Sequence, residues 1–366
     1  MGMREGMKDE LKNFVYSALA TAGIYRLGNF WHRRQALILT YHGVLQKGRD
    51  VYMNRNCVDA GMFDRQMAYL AQHYHVLPLP ELVQRLRAKQ KLPPYTAAIT
   101  FDDGFRNNYT VAWPILQKYC LPATIFLTTS FIGTAEQGLW TEQVDRVIHG
   151  ADIEKIQLDF KGVPKTFPLQ SRTDREKASD QIRGYLKSLS PPQRENVIAA
   201  LVQQAGVETS SHGGVQTATQ RSRHVQEALA QAEERYAFLN WEQIWEMAQD
   251  QITFGSHTHT HSIVSTLSDA EAHFEFHESR RLIEQELGKT CNLFSYPNGT
   301  VKDFGPRDRH LLSKLGFVAA VSQINGFNDA RTELTALKRL NIVRHGDFNF
   351  FLAKISGAWS RLKGLM

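Results

Sequence analysis

AAITFDDG, residues 97–104, joins a short apolar run to two adjacent carboxylates, and this stretch decides the fold. Every residue from Ala97 to Phe101 is apolar or β-branched, which predicts a strand buried on both faces, as in a parallel sheet. Asp102 and Asp103 follow at its carboxyl end, where α/β enzymes place their active sites. Gly104 then lets the chain turn away sharply. The alternative is a turn in which an Asp caps the N-terminus of a helix.

Six further runs of this kind predict strands along the chain. They are Ala36–Tyr41, Ala123–Thr128, Gln251–Gly255, Cys291–Tyr296, Phe317–Ser322 and Leu337–Val343. Helix-like stretches lie between them, including Met62–His73 and Ser268–Leu287, the second of which opens with a capping box and stops at Gly288. Strands that alternate with helices predict an α/β barrel or a doubly wound sheet, and seven strands favour an incomplete barrel.

A helical insertion at about residues 153–238 interrupts this alternation. It is rich in Gln, Arg and Glu around residues 171–205, and it becomes polar and rich in Gly, Ser and Thr around residues 208–222. We therefore expect a barrel domain over residues 36–357, with a helical insertion and a mobile segment between two of its strands.

Composition and charge exclude several classes of protein. The chain has 366 residues, 42% of them hydrophobic and 22% charged, which is typical of a globular protein and not of a disordered or collagen-like one. Its three cysteines are far apart and show no CxxC spacing, so a disulfide framework or a cysteine zinc site is not indicated. The net charge of +6 lies at the ends, because residues 1–36 hold six Lys/Arg against three acids and residues 337–366 six against one. A nucleic-acid binder would more often carry a basic stripe across its body, so we expect no nucleic-acid partner.

Apolar residues recur at helical spacing in both basic ends. They predict an N-terminal amphipathic helix within residues 1–35 and a C-terminal one within residues 346–366. In one interpretation the two helices close the barrel, and in the other both lie on an anionic inner membrane leaflet. No run approaches the roughly 18 apolar residues of a membrane span. Because acids precede the uncharged stretch at residues 13–25, we expect a cytoplasmic chain without a cleaved signal peptide.

Gly255–His261 (GSHTHTH) is the densest histidine motif, and it directly follows another predicted strand. His257 and His261 are four residues apart, so they share one face of a helical turn and can bind one cation. His259 points elsewhere in such a turn and is interpreted as a supporting or surface group. Together with Asp103, the two histidines form a His₂-carboxylate set with open positions, which suits zinc and its first-row neighbours.

A second pair of histidines, His273 and His277, has the same spacing of four residues. These residues lie in the middle of a charged predicted helix, away from any strand end and without a third ligand in the sequence nearby. We interpret them as surface residues.

Two more strand ends carry polar turns. Phe294–Thr300 (FSYPNGT) contains a Tyr-Pro-x-Gly turn, which can aim a backbone N–H into a cleft. Thr40–Gly43 (TYHG) places His42 at the end of the first strand. With a metal set, Asp102 as general base and a histidine as acid, these residues predict metal-assisted hydrolysis of an amide or ester.

TFDDG, HTHTH and SYPNG, in this order and each ending a strand, resemble the motifs of the polysaccharide deacetylase family. The resemblance covers about residues 36–357 and implies a distorted (β/α)7 barrel that removes N-acetyl groups from amino-sugar polysaccharides or related glycans. The ligands that it implies for a divalent metal, with Zn²⁺ favoured, are Asp103, His257 and His261. Metal-bound water, deprotonated by Asp102, would attack the acetamide carbonyl, and the Tyr296 N–H would hold the oxyanion.

The chain departs from the family pattern in two places. Many members have an Arg before the Pro of the third motif, where this chain has Ser295 and Tyr296. The late Leu-x-His that supplies the acid in many members is missing, although LKRLNIVRH ends in His345. In the branch whose domain opens with a Tyr-His element, that histidine is the acid. On this resemblance we favour His42 as the acid and keep His345 as the second candidate.

Three alternatives remain compatible with the sequence. The first is hydrolysis of another acyl or formyl amide, for example on a lipid-linked amino sugar, because loops determine the substrate. The second is a non-catalytic glycan-binding barrel, although such a protein would be expected to have lost one of the metal ligands. The third is an assembly scaffold of a surface-polysaccharide system, in which the insertion is the docking element.

Overall fold

A curled parallel sheet forms the centre of the structure, a computed structural model that describes residues 24–46, 56–134, 138–150, 152–205, 207–209, 215–217, 237–343 and 347–358. Its main strands are β1 (Leu37–Tyr41), β2 (Thr96–Phe101), β3 (Ala123–Leu127), β4 (Ile252–Ser256), β5 (Leu293–Ser295), β6 (Ala319–Val321) and β7 (Leu340–Asn341). They lie in the order β6-β5-β4-β3-β2-β1-β7, and every neighbouring pair is parallel. An isolated parallel bridge links Val321 of β6 to Leu337, three residues before β7, so the curled sheet has the form of a distorted barrel.

These seven strands are the seven predicted apolar runs, which confirms the predicted α/β barrel class. The short strand His75–Val76 also pairs with the beginning of β2. Other short strands pair outside the barrel, and they are Gly43–Leu45 with Cys57–Asp59, Lys155–Phe160 with Val163–Pro168, and Val207–Thr209 with Val215–Thr217.

The α-helices of the described residues fill the connections between strands. They are α1 (Ile24–His32), α2 (Ala60–His73), α3 (Leu79–Arg87), α4 (Trp113–Lys118), α5 (Trp140–Gly150), α6 (Arg172–Leu186), α7 (Pro191–Gln204), α8 (Trp241–Ala248), α9 (Asp269–Leu287), α10 (Pro306–Lys314) and α11 (Phe348–Ile355). Both helices predicted by their residue pattern are present as α2 and α9. The Ser268 side chain caps α9 through a capping box, and Gly288 ends the helix with a φ of 61°.

Alternate residues of the strands enter two separate hydrophobic clusters. Leu37 and Leu39 belong to a large cluster that includes Phe63 of α2 and Phe276 of α9, so this face of the sheet packs against helices. Ile38 belongs to a smaller cluster with Phe126 and other strand residues, on the opposite face. Both faces of the sheet are therefore buried, which is why its strands read as continuous apolar runs.

The insertion is a separately packed unit with its own hydrophobic core. The residues of this core include Val144 and Ile148 of α5, Ile156, Phe167, and Ile182 of α6. Because α5 contributes to this core, the packed unit begins before residue 153. The helices predicted around residues 171–205 are present as α6 and α7, but the hairpin of Lys155–Phe160 and Val163–Pro168 was not expected. Most of the stretch at 208–222, predicted to be mobile, lies outside the described residues.

Only part of the two predicted terminal helices can be compared with the structure. In α11, Phe351 and Ile355 are buried in the large cluster, which agrees with a helix that closes the barrel. Residues 1–23 and 359–366 lie outside the described residues, so contact with an anionic membrane stays a prediction. Among the described residues, no helix has the length and apolar character that crossing a bilayer requires.

Candidate active site

Polar residues gather where β2 and β4 end, at the carboxyl edge of the barrel. The Asp102 N–H donates to the Tyr41 carbonyl at 2.9 Å, and the His257 N–H donates to the Leu127 carbonyl at 2.9 Å. Asp102 and His257 thus each continue the hydrogen-bonding pattern of the sheet by one residue beyond the end of their strand. The sheet therefore fixes both backbones, and their side chains meet at one edge.

Asp103, His257 and His261 converge at this edge. Oδ1 of Asp103 lies 3.4 Å from Nε2 of His257 and 3.3 Å from Nε2 of His261. Asp103 and His257 are buried, and the side chain of His261 is 12% exposed. The structure therefore brings together the three residues predicted as metal ligands.

These three side chains fit a divalent cation. The buried Oδ1 of Asp103 has no hydrogen-bond partner among the described residues, although two imidazole nitrogens face it. Nδ1 of His257 lies 2.8 Å from the Ser295 carbonyl oxygen, which can only accept, so Nδ1 carries the hydrogen. Nε2 of His257 is then the nitrogen that can bind a metal, and the carbonyl holds the ring in place. One carboxylate and two imidazoles are a donor set suited to zinc.

Burial and mutual contact set the protonation of the three residues. Burial alone would raise the pKa of Asp103, but contact with the two imidazoles lowers it well below its ordinary value, so the carboxylate is ionised. Burial lowers the pKa of His261 and favours the neutral ring that can bind a metal. The two aspartates outweigh burial at His257 and raise its pKa, so a proton there competes with a cation.

Asp102, the predicted base, is held by a buried arginine from the last strand. Nη1 of Arg339 lies 2.8 Å from Oδ1 of Asp102, and Nη2 lies 2.7 Å from Oδ2. The Ser295 hydroxyl and the Gln323 amide N–H also donate to this carboxylate, at 3.0 and 3.2 Å. Burial would raise the pKa of Asp102, but the positive charge of Arg339 lowers it, so Asp102 is ionised at neutral pH.

The role of Arg339 is not evident from the amino-acid sequence alone. Its guanidinium is fully buried, and its remaining N–H groups donate to the Ser322 carbonyl, the Thr100 hydroxyl and the Ser295 hydroxyl. All five donors thus have acceptors, as a buried arginine requires. A lone arginine inside the apolar strand predicted at Leu337–Val343 was the available signal. It also lies beside Ser295 of the third motif, with Nη2 2.9 Å from the Ser295 hydroxyl.

A cavity of about 460 Å³ opens over these residues, which is within the usual size of small-molecule sites. Asp102, Asp103, His257 and His261 line it, and so does His42, the favoured acid. Nδ1 of His42 is buried and has no hydrogen-bond partner among the described residues. His345, the second candidate for the acid, lies outside the described residues.

The Tyr296 N–H does not face this cavity, contrary to the prediction. It donates to the Val321 carbonyl at 3.2 Å, because the pairing of β5 with β6 continues one residue beyond β5. The side chain is also turned inward, where its hydroxyl donates to the Thr335 carbonyl. From the same turn, Asn298 lines the cavity instead. The predicted oxyanion donor is therefore engaged in the sheet in this structure.

Helices α5 and α6 form another wall of the cavity, which the local sequence pattern does not predict. Glu142 and Asp145 of α5 line it together with Arg183 of α6 and with Lys187, the residue that follows α6. Nη1 of Arg183 lies 2.7 Å from Oδ2 of Asp145 in a buried ion pair. Nζ of Lys187 donates to Oδ1 of Asn298 at 2.7 Å, which connects α6 to the turn after β5. The insertion thus faces the metal-ligand set.

His273 and His277 are exposed on α9, and their rings stack on each other with centroids 5.8 Å apart. They do not line the cavity, and among the described residues the Asp103 set is the one group of three or more side chains placed to hold a metal. The interpretation of this pair as surface residues agrees with the structure.

The curled parallel barrel, with a buried carboxylate and histidine site at its carboxyl edge, defines an α/β-barrel hydrolase. A family model described as polysaccharide deacetylase matches residues 89–320, more than half of the chain. The chain therefore belongs to the polysaccharide deacetylase family.

Individual relatives agree with this assignment. The poly-β-1,6-N-acetyl-D-glucosamine N-deacetylase of Staphylococcus epidermidis is 27% identical over 218 residues, covering 51% of this chain and 72% of that protein. YxkH of Bacillus subtilis is 28% identical over 138 residues, covering 37% of this chain and 47% of YxkH. The matched segment thus spans about half the length of YxkH.

Solved structures show the same fold. The Streptococcus pyogenes deacetylase PplD in complex with acetate has a TM-score of 0.54 at 17% identity, covering 88% of this chain and 98% of that one. IcaB from Ammonifex degensii has a TM-score of 0.52 at 15% identity, covering 89% and 97%. These likenesses support the (β/α)7 barrel.

Proposed function

We propose that this protein is a metal-dependent hydrolase that removes N-acetyl groups from an amino-sugar polysaccharide or a related glycan. One observation carries the proposal: a His₂-carboxylate set and a second, separately held carboxylate line the same cavity. The first can hold a cation and the second can take a proton, which is the pair of tasks that amide hydrolysis requires. The names of the matched relatives supply the substrate class.

Asp103, His257 and His261 would hold the cation, for which Zn²⁺ is the favoured identity. When bound, such a cation lowers the pKa of water and polarises the carbonyl of an amide. Asp102 accepts the proton of the attacking water, because Arg339 keeps its carboxylate ionised and the contacts of both oxygens fix its plane. The base is thus ready in the resting protein.

His42 donates a proton to the departing amine. It lines the cavity with the ligand set, and it directly follows β1. The Asn108 side chain donates to the His42 carbonyl at 2.8 Å and holds its backbone. Because the Tyr296 N–H is hydrogen-bonded to the Val321 carbonyl, the proposed mechanism includes no backbone donor for the oxyanion of the tetrahedral intermediate.

The substrate extends from the acetamide towards α5 and α6. The polar side chains of this wall, Glu142, Asp145, Arg183 and Lys187, suit the hydroxyl groups of a sugar. Because catalytic groups come from the barrel and the wall from the insertion, the wall determines which glycan enters.

The test is acetate release from N-acetylated glucosamine oligosaccharides of increasing length, with and without a metal chelator. We expect activity that a chelator abolishes and that added Zn²⁺ restores. Asp103→Ala should abolish both stoichiometric metal and activity, whereas His277→Ala, the matched surface histidine, should leave both unchanged. A protein that binds no metal and releases no acetate from any oligosaccharide would contradict the proposal and favour a glycan-binding barrel.

The acid is tested separately. His42→Ala should retain the metal and lose most of its turnover, because general acid catalysis contributes roughly 10²–10⁴-fold. Undiminished turnover would move the role to His345, and His345→Ala measured beside it decides between the two.

A further inference from the structure

The turn that presents His257 and His261 has an unusual backbone. Thr258 has a φ of 67° and His261 a φ of 60°, both in the left-handed region. A β-branched residue such as Thr258 rarely adopts this conformation, and it persists only where surrounding contacts hold it. The geometry of the two histidines therefore depends on what holds the turn.

Glu275 of α9 holds this turn from one side. Its Oε2 accepts hydrogen bonds from the backbone N–H groups of His259 and Thr260, at 2.7 and 2.8 Å. Its Oε1 accepts from the Thr260 hydroxyl. These residues lie between the two candidate ligands, so one carboxylate fixes the middle of the turn.

The loop after β3 holds the turn from the opposite side. The Ser130 N–H donates to the His259 carbonyl at 2.9 Å, and Oγ1 of Thr129 lies 2.9 Å from Nδ1 of His259. His259 is thus an anchor of the turn and not a ligand, which agrees with its predicted supporting role. Glu275 and this loop therefore hold the turn from two sides.

A packing role alone does not account for Glu275. Glu275 is only 6% exposed, while His273 and His277 on the same helix are exposed. A buried carboxylate costs free energy unless hydrogen bonds compensate it, and each hydrogen bond given above runs to the histidine turn. An apolar side chain would fill this space without that cost.

We propose that Glu275 is a positioning residue that fixes the histidine turn in the geometry that binds the metal. The inference rests on the proposed metal site. It assigns a role to the glutamate between the two surface histidines, in a segment that otherwise carries no chemistry. Outer hydrogen-bond partners of metal ligands commonly change metal affinity by roughly 10–100-fold.

The experiment measures the affinity of the full chain for Zn²⁺ alone, by competition with a chromogenic chelator. Glu275→Leu removes all the contacts and should weaken the affinity by roughly 10–100-fold. Glu275→Gln should weaken the affinity for Zn²⁺ by less than about tenfold, since its amide oxygen can accept hydrogen bonds from both backbone N–H groups. Glu278→Gln on the same helix, which removes a surface pair with Arg281, is the control and should match wild type.

Glu275→Asp keeps the negative charge but shortens the side chain, so it distinguishes the effect of side-chain length from the effect of charge. It should lose more Zn²⁺ affinity than Glu275→Gln, and it serves in place of Glu275→Leu if that variant does not fold. The absorption spectrum with Co²⁺ is the second measurement, and an altered ligand field in Glu275→Asp with an unchanged apoprotein melting temperature supports a positioning role.

Two outcomes would overturn the inference in distinguishable ways. If folded Glu275→Leu and Glu275→Asp bind Zn²⁺ as tightly as wild type, the metal site stands and Glu275 has no part in it. If wild type itself binds no Zn²⁺, the proposed metal site fails and the role of Glu275 fails with it.

Discussion

The carboxyl edge of the barrel and the insertion line the same cavity, but they are built differently. At the barrel edge, strand ends supply the polar side chains, and the ladder itself positions Asp102 and His257. In the insertion, helices α5 and α6 supply them, and these helices pack on a separate hydrophobic core. Under the proposed function, the sheet places the reacting groups and the helices contact the substrate.

The two regions touch through both a polar and an apolar contact. The Lys187–Asn298 hydrogen bond joins α6 to the turn after β5. Ile263, which follows the histidine turn, is the barrel residue that enters the core of the insertion. If the two regions have separate tasks, changes in each should alter different measured quantities.

The largest effect is expected from the base. Asp102→Asn keeps the shape of the side chain but cannot accept a proton, so turnover should fall by roughly 10²–10⁴-fold while metal binding persists. Initial rates of acetate release and metal analysis on the same sample check this. Turnover within a few-fold of wild type would show that the barrel edge does not supply the base.

A somewhat smaller effect is expected from Arg339→Met, which tests whether the last strand acts through Asp102. Without the cation the pKa of Asp102 rises, because burial then acts unopposed. The acidic limb of the kcat/KM profile should move to higher pH, and turnover at neutral pH should fall by roughly 10²-fold. Arg339→Lys keeps the charge with fewer hydrogen-bond donors, so its turnover and its pH profile should lie between those of wild type and Arg339→Met. A pH profile of Arg339→Met identical to that of wild type would refute the coupling between Arg339 and Asp102.

Changes in the wall should affect substrate binding rather than turnover. Lys187→Met removes the hydrogen bond to Asn298 and a polar group of the cavity, so KM for an oligosaccharide should rise by roughly fivefold with kcat nearly unchanged. Lys177→Met, on an exposed position of α6, is the matched control. A fall in kcat at constant KM would mean that the wall takes part in the chemistry.

The smallest effect on the barrel is expected from a change in the core of the insertion. Ile182→Ala should destabilise the insertion by about 2–5 kcal/mol. Burial raises the pKa of Cys291 to about 12, so this thiol in the barrel core should resist labelling at pH 8, whereas exposed Cys120 reacts. Labelling of Cys291 should stay as slow in Ile182→Ala as in wild type. Rapid labelling would show that both regions unfold together.

Local sequence predicted the barrel well, because buried parallel strands are continuous apolar runs with polar ends. Asp102, Asp103 and His257 could be placed for the same reason, since they lie within two residues of such runs. His261 was placed by its spacing of four residues from His257, but the helical turn predicted there is wrong, because Thr258 and His261 have a left-handed backbone. Arg339 could not, because its partner lies on another strand and only the closed sheet brings them together. The hydrogen bond of the Tyr296 N–H could not be predicted either, because it depends on how far the pairing of β5 with β6 continues. The sequence of a single strand does not show where its pairing with a neighbour ends.

The insertion was the hardest part to predict. Its hairpin strand Lys155–Phe160 alternates buried and exposed residues in a segment rich in charge, which is a weak signal beside the helices that follow. That α6 faces the metal-ligand set depends on packing between units, which no local pattern encodes.

The ion pair between Asp102 and Arg339 joins residues 237 positions apart in the chain. During synthesis, the segment that carries Asp102 is complete long before the strand that supplies its cation. Until then Asp102 has no permanent counter-charge, and burying it alone would be unfavourable. The ion pair that holds the base is therefore complete only once residue 339 has been synthesised, and a chain that ends before it would lack this pair even with every metal ligand present.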